Sequence, residues 1–248
     1  MLENLAKVKL IKLETVDSTN EYAKKVINDG KINGTVLIIS DTQTSGKTTK
    51  KTAWYSPAGN LYMSLIIDID DMGENFLPQL SFITALSLVE TIEAVATMPL
   101  GIKIKWPNDV LLDGMKLSGI LIEKEKHYAI IGIGVNVITH PDRNFTVYPT
   151  VALRERGVVI DKDELGIGLA SKIATNTKLA IDLGFDFIIG KITPFMLKFM
   201  ETVEFEQNGT MFHGIFTGIN KNGGLCLKLS NGDVKVFYSG NLSVYNKD

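Results

Sequence analysis

Apolar residues recur along the chain in two spacings, and the two alternate from one segment to the next. Short, mostly apolar runs are typical of strands, and they predict strands over residues 8–13, 36–40, 61–68, 102–105, 110–112, 116–125 and 128–137. Apolar positions three and four apart predict helices over residues 77–96, 163–183 and 192–200. Long helices among buried strands favour an α/β (α+β) fold built on a mixed sheet.

A shorter helix is predicted to begin at Ser18. Ser18 lies three residues before Glu21, the spacing of a capping box in which each side chain accepts a hydrogen bond from a free backbone amide. An apolar helical stripe follows, and Gly30 is expected to end the helix. A polar loop is predicted from Asp41 to Ala53.

The last 40 or so residues have a different pattern, with short β-prone runs separated by turn sequences. Residues 220–224 and 230–233 carry the Asn, Asp and Gly residues of tight hairpins. This pattern predicts a small β-barrel. We place the boundary at about residue 205, which gives a domain over 1–205 and a second over 206–248.

Composition narrows the class of protein. The chain has 248 residues, is 45% hydrophobic and 22% charged, and carries a formal net charge of −2, so no basic field attracts nucleic acid or an anionic membrane. It has no apolar run of the roughly 20 residues that span a bilayer and no signal sequence at Met1–Leu13. One cysteine, Cys226, and three scattered histidines give no metal-ligand spacing. A cytoplasmic protein that binds neither DNA nor membrane is expected.

Two sequence motifs that contain polar residues interrupt the apolar strands. Residues 105–110 read KWPNDV, and Lys116 opens the run KLSGILIE. Because buried polar groups need partners, Lys105 and Lys116 are expected to converge where the strands turn and to bind an anion such as a nucleotide phosphate. The alternatives are a solvated lysine at a strand end and an Asn108–Asp109 turn that closes a hairpin.

These sequence motifs, with others in the same order, resemble those of biotin–protein ligases. The shared words are DSTN at 17–20, QT at 43–44, WYSP at 54–57, GNLY at 59–62, KWPND, KLSGIL and IGIGVNV at 131–137. The resemblance covers nearly the whole chain and implies a class II synthetase-like catalytic domain with a C-terminal SH3-like barrel. Because the match begins almost at residue 1, we expect the short monofunctional form without an N-terminal DNA-binding domain.

The resemblance also implies an activity. Such enzymes join biotin to ATP as biotinyl-5′-AMP, with Mg²⁺, and transfer the biotinyl group to a lysine of a biotin carboxyl carrier domain in a carboxylase. A homodimer is compatible with it. Two alternatives are a lipoate- or octanoyl-transferring relative, against which KWPND and the predicted barrel argue, and a biotin-binding homologue with weakened ligation. A biotin-responsive repressor is disfavoured, because it would need a DNA-binding segment.

Residue roles follow from the matched words, and all of them are implied by the resemblance. Lys116, Asp109 and Lys47 would be catalytic. The residues expected to bind biotin are Ser18, Thr19, Asn20, Gln43, Gly46, Lys47, Lys116, Gly119 and Gly132. The residues expected to bind ATP are Lys105, Trp106, Asn108, Lys116 and Asn136. Gly132 and Gly134 are expected to let a flat ligand approach the strand, with a β-bulge as the alternative.

One segment departs from the family. After Gln43-Thr44 the family has a basic loop, GRGRxGR, whereas this chain reads GKTTKKT over 46–52. Lys47 replaces the first arginine, and Thr49 and Thr52 replace the other two. Lysine keeps the charge but cannot bind phosphate in a bidentate manner. We therefore expect looser retention of the adenylate, unless Lys50 and Lys51 supply the charge.

Overall fold

The structure is a computed structural model that describes residues 8–30, 32, 34–49, 53–73, 76–142 and 148–243. Of the basic loop, Lys50, Lys51 and Thr52 lie outside the described residues. None of the helices in the described ranges is long and apolar enough to cross a membrane.

A seven-stranded mixed sheet forms the centre of the molecule, in the order β1-β2-β3-β7-β6-β5-β4. Strands β1 and β2 are parallel, and every other neighbouring pair is antiparallel. The predicted strands are confirmed with small shifts at their ends. Their bounds are β1 Val8–Val16, β2 Thr35–Gln43, β3 Leu61–Asp68, β4 Ile102–Lys105, β5 Asp109–Leu112, β6 Met115–Glu125 and β7 Tyr128–Val135.

Among the described residues, four α-helices cover the two faces of this sheet: α1 (Thr19–Asn28), α2 (Phe76–Val95), α3 (Lys162–Leu183) and α4 (Phe185–Ile192). Helices α2, α3 and α4 pack together, and their apolar residues join the sheet in one large core. Helix α1 packs on the other face over a smaller apolar cluster. The face covered only in part by α1 leaves room for a site.

The C-terminal residues form a five-stranded antiparallel sheet in the order β11-β10-β9-β8-β12. Its strands are β8 Thr202–Gln207, β9 Thr210–Ile219, β10 Leu225–Lys228, β11 Val234–Phe237 and β12 Asn241–Leu242. Both predicted hairpin turns are present, with Gly223 and Gly232 at positive φ. In the described part of the chain β11 and β12 are the unpaired edges, so the small barrel is an open sheet rather than a closed one.

The turn between β9 and β10 joins the small sheet to the large domain. The indole Nε1 of Trp106 donates a hydrogen bond to the carbonyl of Gly223 at 3.1 Å, and the Trp106 ring packs edge-on against Phe205. Gln79 of α2 donates to the carbonyl of Lys221. A Cβ on Gly223 would lie 2.9 Å from the Phe82 ring, so the turn fits closely against α2.

Three local predictions are wrong. Ser18 precedes α1 but makes no side-chain cap, because its own amide is bound by Asp17 and the Glu21 carboxylate pairs with lysines instead. The helix predicted over 192–200 lies earlier, at Phe185–Ile192, and Pro194 falls in the 3₁₀ turn that follows. The loop predicted from Asp41 begins later, since β2 continues to Gln43.

Candidate active site

A cavity of about 640 Å³ opens on the sheet face next to α1. The start of α1, the segment after β2, the β4–β5 turn, the inner strands β6 and β7 and the end of the small sheet form its walls. Thirteen of the predicted site residues line it: Ser18, Thr19, Asn20, Gln43, Lys47, Lys105, Trp106, Asn108, Asp109, Lys116, Gly119, Gly132 and Asn136. Gly46 is buried beside it.

Asn20 forms the floor at one end. Its side chain is 3% exposed, its Nδ2 donates to Glu123 at 2.7 Å, and its Oδ1 accepts from the Ser64 hydroxyl at 2.6 Å. Gly132 of β7 lies directly beneath, where a Cβ would come within 2.3 Å of Asn20 Oδ1. The glycine is therefore required for Asn20 to lie on the sheet.

Gln43 braces the next part of the wall. Its Oε1 accepts hydrogen bonds from the amide and hydroxyl of Thr19, and its Nε2 donates to Ser56 at 3.1 Å. A Cβ on Gly46 would lie 2.8 Å from Ser56 Oγ and 2.9 Å from Gln43 Nε2. The polar atoms at this end of the cavity are thus already fixed by neighbouring residues of the chain.

A β-bulge places Lys116 in the cavity. Val110 pairs with Ser118, whereas Leu111 pairs with Lys116, so β6 carries one extra residue. The shift brings Lys116 onto the same face as Gly119, since a Cβ on Gly119 would lie 3.6 Å from Lys116 Cε. Regular alternation would have aimed the two at opposite faces.

Lys116 forms an ion pair with Asp109, at 2.6 Å between Nζ and Oδ1. The two side chains are 23% and 18% exposed, so the pair is shielded from bulk water. The Lys116 ammonium also lies 5.4 Å from the centre of the Trp54 ring. The ion pair with Asp109 holds the Lys116 cation at the cavity wall.

The second predicted cation lies on the same wall. Lys105 is 7% exposed, and its Nζ is 4.3 Å from the centre of the Tyr148 ring. Asn108 donates to the Ile120 carbonyl, and Asn136 to the Val151 carbonyl. The two amides therefore fix the backbone around the cavity.

Trp54 covers the glycines of the inner strands. A Cβ on Gly134 would lie 2.6 Å from the Trp54 ring, and one on Gly119 would lie 3.0 Å from it. The bulge suggested for Gly132–Gly134 is wrong, because β7 pairs in regular register with β3 and with β6 there. The indole nitrogen of Trp54 is buried with no hydrogen-bond partner among the described residues.

Several residues of the cavity were missed by the sequence reasoning. Trp54, Tyr148 and residues 238–242 line it, and Glu123 and Ser64 fix Asn20 from outside. Trp54 lies within a family word and could have been assigned from it. Tyr148 and the 238–242 segment reach the cavity through tertiary packing, which their position in the sequence does not reveal.

The described residues contain no group of three or more His, Cys, Asp or Glu side chains placed to hold a metal ion. Mg²⁺ usually enters nucleotide sites bound to the substrate phosphates, with water and one or two carboxylates. The involvement of magnesium stays a prediction.

Comparison with known proteins identifies the family. Residues 13–136 match the model of the biotin/lipoate A/B protein ligase family, and residues 201–245 match the biotin protein ligase C-terminal domain. The chain belongs to the biotin protein ligase family. The second match covers the small sheet, so both parts of the molecule are those of a biotin protein ligase.

Individual biotin protein ligases agree over nearly the whole chain. The biotin–[acetyl-CoA-carboxylase] ligase of Paracoccus denitrificans is 30% identical, over 87% of this chain and 92% of the relative. The bifunctional ligase/repressor BirA of Escherichia coli is 25% identical, over 94% of this chain and 73% of the relative. The structure of the Aquifex aeolicus biotin protein ligase in complex with biotin and ATP superposes with a TM-score of 0.81 at 30% identity, covering 95% and 97% of the two chains.

Proposed function

We propose that the chain is an ATP-dependent ligase that activates biotin as biotinyl-5′-AMP and transfers the biotinyl group to a protein lysine. The observation that carries this proposal is the Lys116–Asp109 pair, held by the β6 bulge in the same cavity as the hydrogen-bonded Asn20 and Gln43. A shielded cation in a cavity with a fixed polar floor suits a ligand that is polar at one end and anionic at the other.

Adenylation needs two anions to approach each other. The biotin carboxylate attacks the α-phosphate of ATP, a new oxygen–phosphorus bond forms, and pyrophosphate leaves with the bonding electrons. Negative charge builds up on the phosphate oxygens during this step. A preorganised cation stabilises that charge most when water is excluded. We assign this role to Lys116, with Lys47 and Lys105 as further cations.

In the transfer step a lysine amine attacks the acyl carbonyl of the adenylate, and AMP leaves. Asp109 holds Lys116 at the cavity wall, and we propose that it also orients the incoming amine. The departing AMP takes the bonding electron pair, and the amine proton passes to solvent or to a carboxylate.

At the opposite end we assign biotin contacts to Ser18, Thr19, Asn20, Gln43, Gly46, Gly119 and Gly132. Gly132 leaves room for Asn20 on the sheet, and Gly119 leaves room for Trp54. Trp106, Asn108 and Asn136 would shape the nucleotide end. Their support is the common cavity, which all of these residues except Gly46 line. The match over 201–245 and the Paracoccus relative favour biotin over lipoate as the acyl group.

We further propose that the acceptor is the biotin carboxyl carrier domain of a carboxylase, as the name of the Paracoccus relative implies. Residues 1–205 would bind biotin and ATP, and residues 206–248 would form the C-terminal domain. A cytoplasmic location fits the use of ATP as a substrate.

The proposal is tested by mixing the purified protein with biotin and ATP and identifying the bound product by native mass spectrometry. A bound biotinyl-adenylate, together with released pyrophosphate, is expected. Calorimetric binding of biotin with no ATP-dependent adenylate would show a biotin-binding homologue that does not ligate.

A further inference from the structure

Lys47 is the lysine of the basic loop that lies within the described residues, and its ammonium forms an ion pair with a carboxylate of α1. Lys47 Nζ lies 2.6 Å from Glu21 Oε1, although Lys47 also lines the cavity. The two side chains are 43% and 31% exposed. Lys47 is therefore at the cavity mouth, with its charge already paired.

Glu21 belongs to a chain of ion pairs that ends at the cavity floor. Its Oε1 also accepts from Lys24 at 2.8 Å, and Lys24 in turn donates to Glu123 at 2.7 Å. Glu123 holds Asn20. Hydrogen bonds from Lys24 and from Lys47 lower the pKa of Glu21, which keeps it ionised at neutral pH.

We propose that Glu21 competes with the anionic ligand for Lys47, and so acts as a positioning residue that weakens the hold on the adenylate. This inference rests on the proposed function. An adenylate phosphate can bind Lys47 only after the Lys47–Glu21 ion pair has broken. The free energy needed to break that pair makes the binding free energy of the adenylate less favourable. Lys24 stays paired with Glu123 when Lys47 leaves, so the floor at Asn20 is not disturbed.

The magnitude of the effect is set by the exposure of the pair. Partly exposed ion pairs contribute little, and releasing one lysine changes an affinity by about twofold to fivefold. The effect should depend on the charge of the ligand, because an uncharged ligand gains nothing from a free Lys47. A change in the shape of the cavity would instead alter the binding of charged and uncharged ligands alike.

The test measures two dissociation constants by calorimetry in the whole protein. One ligand is the phosphodiester analogue of the biotinyl-adenylate in which a methylene replaces the acyl carbonyl, and the other is uncharged biotinamide. The variants are Glu21→Gln, Lys47→Gln and the double variant. Glu125→Gln is the matched control, because it removes a half-buried carboxylate charge near the other end of α1, where Glu125 accepts a hydrogen bond from Asn28.

Glu21→Gln is expected to lower the dissociation constant of the analogue about twofold to fivefold and to leave that of biotinamide unchanged. In the Lys47→Gln background the same substitution should have no effect, and Glu125→Gln should leave both constants at the wild-type value. Tightening that persists without Lys47, or that is equal for both ligands, would overturn the inference. Unchanged analogue binding in Glu21→Gln would also overturn it, while a wild type that binds neither ligand would overturn the proposed function itself.

Discussion

The two ends of the cavity are built in different ways. At the Asn20 end, polar side chains are buried and bound to one another, with Gln43, Thr19, Glu123 and Ser64 each supplying a partner. At the Lys116 end, cations are held by a carboxylate and by aromatic rings. The Asn20 end has a fixed shape before any ligand binds, whereas the Lys116 end supplies positive charge.

The two ends differ because one recognises a polar ligand group and the other stabilises charge during the reaction. A polar ligand group is recognised best by donors and acceptors that need no rearrangement. Charge that develops only during a reaction is stabilised by cations that are already held in position. We therefore expect substitutions at the Asn20 end to change mainly biotin binding, and substitutions at the Lys116 end to change mainly rate.

The largest effect is expected from Lys116→Ala. Loss of the cation should slow adenylation about a thousandfold while changing biotin affinity only a few-fold, because the charge is needed mainly in the transition state. Single-turnover adenylation and calorimetry measure the two quantities. Lys124→Ala, an exposed lysine of the same strand, is the control. Wild-type rates in Lys116→Ala would transfer the role to Lys105.

Gly132→Ala should disrupt the hydrogen bonds at the Asn20 end of the cavity. The new Cβ would meet Asn20 Oδ1 at 2.3 Å, so Asn20 must give up its bonds to Ser64 and Glu123. Leaving such buried groups unpaired should weaken biotin binding about a hundredfold. Gly190→Ala is the matched control, since a Cβ there meets nothing within 4 Å. Undiminished biotin affinity in Gly132→Ala would mean that Asn20 does not contact biotin.

Arginine at positions 49 and 52 should strengthen the phosphate end. Because a charge-assisted hydrogen bond contributes about 1.5–3 kcal/mol, the Thr49→Arg/Thr52→Arg variant should release adenylate about tenfold to a hundredfold more slowly. Release is measured by chase with unlabelled biotin, and the wild type should label bystander proteins. Thr175→Arg/Thr210→Arg controls for added charge. If release is unchanged and the wild type labels only its carrier, lysines already retain the adenylate.

Trp106→Phe tests whether contact with the small C-terminal sheet supports ATP binding. The substitution keeps the ring packing on Phe205 and removes the hydrogen bond to the Gly223 carbonyl. Loosening the 238–242 wall should raise KM for ATP about fivefold, while the dissociation constant of biotin stays unchanged. An equal change in both constants would indicate general destabilisation, and no change would separate the small sheet from ATP binding.

The sequence predicted the elements well where one period dominates, as in β3 and β4, whose bounds match the structure. It misplaced α4 because the apolar residues after Ile192 were given more weight than Pro194, which disfavours a helix through that position. The family words located most of the cavity. They could not reveal that Lys116 reaches it through a bulge or that Lys47 is paired with Glu21, since both depend on contacts between distant segments.

The most direct test of the whole account is intact mass spectrometry of a biotin carboxyl carrier domain incubated with the protein, biotin and ATP. The account predicts one added biotinyl group on the carrier, dependent on ATP, absent from a carrier whose acceptor lysine is changed to arginine, and lost with Lys116→Ala. A carrier of unchanged mass in the presence of a bound biotinyl-adenylate would contradict it.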